Sequence, residues 1–145
     1  MDALPVRDRS INLIVAHGIW NLARSGAEFR QAVAEAARIA AKGAALFVFT
    51  FSRHTIQSDA APVAGETFVF TQFSGARQVF LTCDQLLDEL RAAGFGPDPE
   101  LPLRELNLPP ALSGSRAGAV EGPPGQVRIG GTPVIYQAAF RFTGE

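Results

Sequence analysis

The sequence predicts an α/β fold: half of a doubly wound sheet, with two parallel strands, their helices and a C-terminal antiparallel hairpin. Two short, nearly unbroken apolar runs, SINLIVAHG at 10–18 and AALFVFTFS at 44–52, have the composition of strands buried on both faces of a parallel sheet. A helical period separates them, and a second follows. Near the C-terminus, PELPLRELNL at 99–108 and PVIYQAAFRF at 133–142 are extended. In the latter, Val134, Tyr136, Ala138, Phe140 and Phe142 alternate with Ile135, Gln137, Ala139 and Arg141.

The first strand closes on Gly18. Ser25 with Glu28 three residues later is a capping-box signature opening a helix. Phe29, Val33, Ala36, Ala37 and Ala40 form its apolar stripe, and Gly43 is the expected stop. In the second strand Phe47, Phe49 and Phe51 share one face, because strand side chains alternate. A long connection, 53–80, follows, with ETFVFTQF at 66–73 as a short extended piece. The second helix lies within 81–95: Thr82 and Gln85 form its capping box, Leu86, Leu87 and Leu90 its buried stripe, and Gly94 ends it. The Pro/Gly-rich stretch 109–133 reads as a mobile loop inside the domain.

With 145 residues the chain is long enough for one domain with its own core, and 47% hydrophobic against 19% charged residues is a globular composition. Thirteen basic and fourteen acidic residues nearly cancel, and the arginines are dispersed. Neither nucleic acid nor an anionic membrane is an expected partner. Cys83 is the sole cysteine, so no internal disulfide can form, and a reducing, cytoplasmic location is expected. Two histidines without a carboxylate cluster make no metal site. No apolar run approaches the roughly 20 residues of a membrane span.

Ligands of open α/β sheets collect at the carboxyl ends of the strands. Here those ends carry His17 to Asn21 and Arg53 to Thr55. Trp20 and Asn21 are candidates for contacting a flat ligand, and Arg53, His54 and Thr55 for holding a polar or anionic one. His17 is a candidate base near neutral pH.

LPVRDRSINLIVAHGIWNL at 4–22 resembles the stretch of class I S-adenosylmethionine-dependent methyltransferases that runs from an acidic residue through LPF and a turn to FDLVV. LTCDQLLDELRAAGF resembles the helix after the fifth strand of those Rossmann-like enzymes, and the terminal hairpin resembles their sixth and seventh strands. The resemblance covers nearly the whole chain. It implies methyl transfer from S-adenosylmethionine to a small acceptor. It also implies that Met1, Ala16, His17 and Gly18 border the cofactor, with Trp20, Asn21, Arg53, His54 and Thr55 on the acceptor side. The chain departs from the family in three ways. No glycine-rich turn follows a strand, no acid ends a strand to hold the ribose, and Asn12 replaces the aspartate of FDLVV. The resemblance therefore implies that residues 1–145 are a partial domain lacking the N-terminal cofactor-binding half. A non-catalytic partner-binding or dimerising module derived from such an enzyme is the alternative.

Successive right-handed crossovers stepping the same way across a sheet put both helices on one face. The other face, equally apolar, then lacks a cover. At about 1.5–3 kcal/mol for each large side chain left in water, three or more such residues forfeit on the order of 10 kcal/mol. That rivals the roughly 5–15 kcal/mol stability of a domain. Two outcomes are expected to compete. Either the chain forms a homo-oligomer or binds a complementary N-terminal fragment through this face and the free strand edge, or segment 53–80 folds back using Phe68, Val69, Phe70 and Phe73.

Overall fold

A computed structural model describes residues 3–72, 74–108, 119–120, 126–129 and 133–144. In chain order the elements are β1 (Ile11–His17), α1 (Gly26–Ile39), β2 (Ala40–Phe51), β3 (Val69–Gln72), β4 (Arg77–Val79), α2 (Cys83–Ala92), β5 (Phe95–Pro97), β6 (Arg104–Leu106), β7 (Ala119–Val120), β8 (Gln126–Ile129) and β9 (Ile135–Phe142). Short 3-10 turns follow β1 at Trp20–Leu22 and β2 at Arg53–Thr55.

The main sheet has the order β1-β2-β9-β5, with β1 and β2 parallel and β9 antiparallel to β2. Both β5 and β6 pair with the outer edge of β9, β5 beside residues 140–142 and β6 beside 135–137. The single strand expected over 99–108 is therefore shorter, confined to β6, and β5 precedes it. Pro99 and Pro102 stand between the two pairings, and a proline nitrogen cannot donate to a ladder.

Both helices start as their caps dictate. The Ser25 hydroxyl accepts the Glu28 N–H, and Thr82 and Gln85 form a reciprocal box. Gly94, at φ +101°, follows α2 as expected. Gly43 does not end α1. That helix stops at Ile39, and Ala40 turns directly into extended backbone. Gly43, at φ +79°, instead lies in the irregular start of β2, where pairing with β1 jumps from Ile11↔Ala40 to Leu13↔Ala45. Left-handed backbone there favours glycine whether or not a helix precedes it.

The core lies on one side of this sheet. Leu46 and Val48 of β2 and Ala138 and Phe140 of β9 are buried with Phe29 and Val33 of α1 and Leu86 and Leu90 of α2. Arg30 of α1 pairs with Glu89 of α2 at 2.9 Å across the helix pair. On the opposite face Leu13 and Val15 are 56% and 58% exposed, while Phe47 and Phe49 are half-buried. Among the described residues β1 pairs only with β2, so its outer edge is open.

Segment 53–80 covers little of that open face. Phe68 and Val69 join the main core on the helix side, with the Phe68 ring 5.3 Å from Phe29. Phe70, Phe80 and Ile56 form a smaller cluster that shields Phe51 alone, the Phe51 and Phe80 rings lying 5.5 Å apart. Phe73 lies outside the described residues.

A second sheet, β4-β3-β8-β7, was not expected beyond its one extended piece at 66–73. It draws β7 and β8 from the 109–133 stretch read as a loop; apart from these strands and Pro133, that stretch lies outside the described residues. No helix among the described residues is long and apolar enough to cross a membrane.

Candidate functional site at the carboxyl rim

The parallel pairing of β1 and β2 brings their carboxyl ends together, with His17 opposite Phe49. The exposed His17 imidazole lies 4.6 Å from the Phe49 ring, on the open face. Gly18, at φ +65°, turns the chain away while its N–H donates to the Phe49 carbonyl at 2.8 Å. Ala16 is buried beneath them, and Met1 lies outside the described residues.

Beyond Gly18 the chain turns inward. Trp20 is only 4% exposed and meets Phe29 edge-on at 6.0 Å, so its indole is a core side chain with no open face for stacking. Asn21 is buried beside it, and its Oδ1 has no hydrogen-bond partner among the described residues. After β2, Thr55 is also buried; its hydroxyl donates to the Val134 carbonyl at 2.8 Å and accepts the Val134 N–H at 3.1 Å. The Arg53 guanidinium packs 4.8 Å over Phe70 and donates to the carbonyls of Gln57 and Ala60, each at 3.0 Å. These contacts give Arg53 and Thr55 structural work in anchoring the 3-10 turn.

His54 is different. Its side chain is 44% exposed, and its Nδ1 lies 2.6 Å from Oε2 of Glu105, a β6 residue whose own side chain is 17% exposed. The hydroxyl of the fully buried Ser52 donates to that same Oε2, while Ser52 Oγ accepts the His54 backbone N–H at 3.0 Å. Tyr136, opposite Glu105 in the β6–β9 register, completes the floor. Burial pushes the Tyr136 phenol up to about 12; its hydrogen bond with Ser52 pulls the other way, and the Glu105 charge adds to the rise. Cys83, at the start of α2, is also raised, first by burial and then by Asp84 and Glu105, so its thiol stays protonated at neutral pH. Glu105 is the residue that sequence reasoning missed, since it sits inside a stretch read only as a strand. No group of three or more His, Cys, Asp or Glu side chains among the described residues could hold a metal ion.

No protein-family model and no curated protein sequence matches the chain. Solved structures do. A SAM-dependent methyltransferase from Methanosarcina mazei aligns over 97% of this chain and 63% of its own, at 15% identity and a TM-score of 0.58. A putative S-adenosylmethionine-dependent methyltransferase from Listeria monocytogenes aligns over 96% and 64%, at 8% identity and a TM-score of 0.57. A Burkholderia thailandensis 1,6-didemethyltoxoflavin-N1-methyltransferase, solved with S-adenosylhomocysteine bound, aligns over 94% and 45%, at 12% identity and a TM-score of 0.55. The fold is that of class I S-adenosylmethionine-dependent methyltransferases. The chain spans less than two thirds of the length of each of these structures.

The described residues do not make a site for the sulfonium cofactor by themselves. Ala16, His17 and Gly18 form one edge at the end of β1, but a side chain built at Gly18 would meet nothing within 4 Å, so no cradle closes over that turn. Neither β1 nor β2 itself ends in an acidic residue, and the carboxylate that β6 brings to the end of β2, Glu105, is already engaged by Ser52 and His54.

Proposed function

We propose that residues 1–145 are the C-terminal half of a class I methyltransferase domain, presenting the acceptor side of the site. The complete enzyme then moves a methyl group from S-adenosylmethionine to a small acceptor. The observation that carries this reading is the sheet: its likeness to methyltransferases takes in 97% of the chain, while the outer edge of β1 and the Leu13/Val15 face stand open. An additional polypeptide segment, from an N-terminal fragment or a second copy of the chain, continues the sheet at β1, covers that face and supplies the cofactor cradle. Ala16, His17 and Gly18 border the cofactor, and His54 faces the acceptor. A cytoplasmic location fits the lone cysteine.

The incomplete cofactor edge favours a second reading, a non-catalytic module that uses the open face only to bind a partner. Calorimetry separates the two. Micromolar binding of S-adenosylmethionine by the purified chain, accompanied by assembly in sedimentation, is expected if assembly completes the site. A well-folded monomer that releases no heat with the cofactor removes the enzymatic reading for this chain alone.

A further inference from the structure

We propose that His54 is a proton acceptor for a ligand bearing a weakly acidic O–H or N–H, with Glu105 and Ser52 as its positioning residues. The inference deepens the reading of the carboxyl rim as the acceptor side and rests on it. The Glu105 Oε2 atom accepts the Ser52 hydroxyl and lies 2.6 Å from His54 Nδ1, and because an ionised carboxylate can only accept, the ring nitrogen facing it is the one that carries the proton. Ser52 ties this cluster to the turn: its Oγ accepts the His54 backbone N–H while its hydroxyl donates to Glu105, and it also hydrogen-bonds with Tyr136. The neutral imidazole is thereby fixed with its proton on Nδ1 and its lone pair on Nε2. At 44% exposure, the ring stands open at the end of β2, where ligands of such sheets bind. Tyr136 from β9 and Cys83 from α2, both of which feel the Glu105 charge, are raised by burial and stay neutral, so Glu105 is the charge in contact with the ring. His17 packs on the Phe49 ring, and no ion pair among the described residues joins it to a carboxylate, so of the two histidines His54 is the one built as a base.

The step is a single proton transfer. The ligand O–H or N–H bond breaks, its electron pair stays on the ligand atom, and the proton bonds to Nε2 to give an imidazolium paired with Glu105. Nitrogen NMR of the full chain labelled at its histidines tests the geometry, with His17 as internal reference. Neutral His54 is expected to carry its proton on Nδ1, and Glu105→Ala to abolish that preference without moving the His17 signals. p-Nitrophenol tests the chemistry. The wild-type chain is expected to raise the visible phenolate band, and His54→Gln to cut that gain about tenfold or more. An Nε2-protonated neutral His54 in the wild type overturns the proposal, as does the absence of a phenolate gain or a gain that survives His54→Gln. The wild-type spectrum needs no variant to fold. Neither measurement involves the sulfonium cofactor, so an intact dyad in a chain that never transfers methyl groups counts against the proposed function alone.

Discussion

Val15 and Val48 permit a matched test of the one-sided sheet. They sit on adjacent parallel strands, one register step apart, yet on opposite faces: Val15 pairs with Phe47 and is 58% exposed, whereas Val48 pairs with Ala16 and is 0% exposed. Valine to threonine exchanges one methyl for a hydroxyl at nearly constant shape, and both residues favour strands, so backbone propensity largely cancels. At Val48 the hydroxyl is forced among Leu46, Ala138 and the two helices, where burying it without a partner costs about 1–3 kcal/mol. At Val15 it reaches water, and the change stays within about 0.5 kcal/mol. With a urea slope of about 1–3 kcal/mol per molar, V48T lowers the midpoint by about 1 M and V15T barely moves it. The midpoints are measured at two protein concentrations, so that association through the open face shows itself as concentration dependence. Equal losses for the two variants, independent of concentration, would mean that the Val15 face is covered within the monomer and that the reasoning fails.

Removing the α2 cap by Thr82→Ala deletes the hydroxyl that accepts the Gln85 N–H, leaves the residue-82 backbone N–H donating to Gln85 Oε1, and lowers stability by about 1 kcal/mol, read as a midpoint shift at constant slope. Glu35 supplies an acid-range prediction. The Arg38 guanidinium foremost, then the Leu4 N–H, holds its carboxyl at about 2, against the ordinary 4.5. A lowered folded-state value gives stability that is complete above 4.5 and drains away as pH falls toward 2. Glu35→Gln therefore flattens stability against pH in that window; an unchanged acid limb, followed by fluorescence of the single tryptophan, counts against the contribution.

What was legible in the sequence was the part governed by local rules. Both capping boxes, the apolar stripes of α1 and α2 and the double-faced strands announce themselves within a few residues, because caps and periodicities act over one or two turns. Handedness then placed both helices on one face without any knowledge of contacts. Gly43 shows where local signals mislead: the same left-handed residue serves a helix stop or a strand irregularity, and only the burial of Ala40 and Ala44 decides between them. The second sheet escaped because β7 and β8 are short and lie in a Pro/Gly-rich stretch, with β8 recruited by β3 from more than fifty residues away and β7 pairing onto β8.

The site divides along the same line. Proximity to a strand end is visible in sequence, which is how His17, Trp20, Asn21, Arg53, His54 and Thr55 became candidates, but what a side chain does there depends on its packing. Trp20 faces Phe29, Thr55 clamps Val134, and Arg53 satisfies carbonyls of its own turn. His54 is left facing outward because its neighbour Ser52 is buried and because β6 brings a carboxylate from 51 residues downstream. That carboxylate arrives through register: Glu105 lies opposite Tyr136, so one slip along β9 would turn its side chain to the other face of the sheet and strand His54 without a partner. The chemistry of the rim thus depends on a three-residue edge strand, which is why a sequence pattern that identified the histidine gave no sign of the acid that orients it.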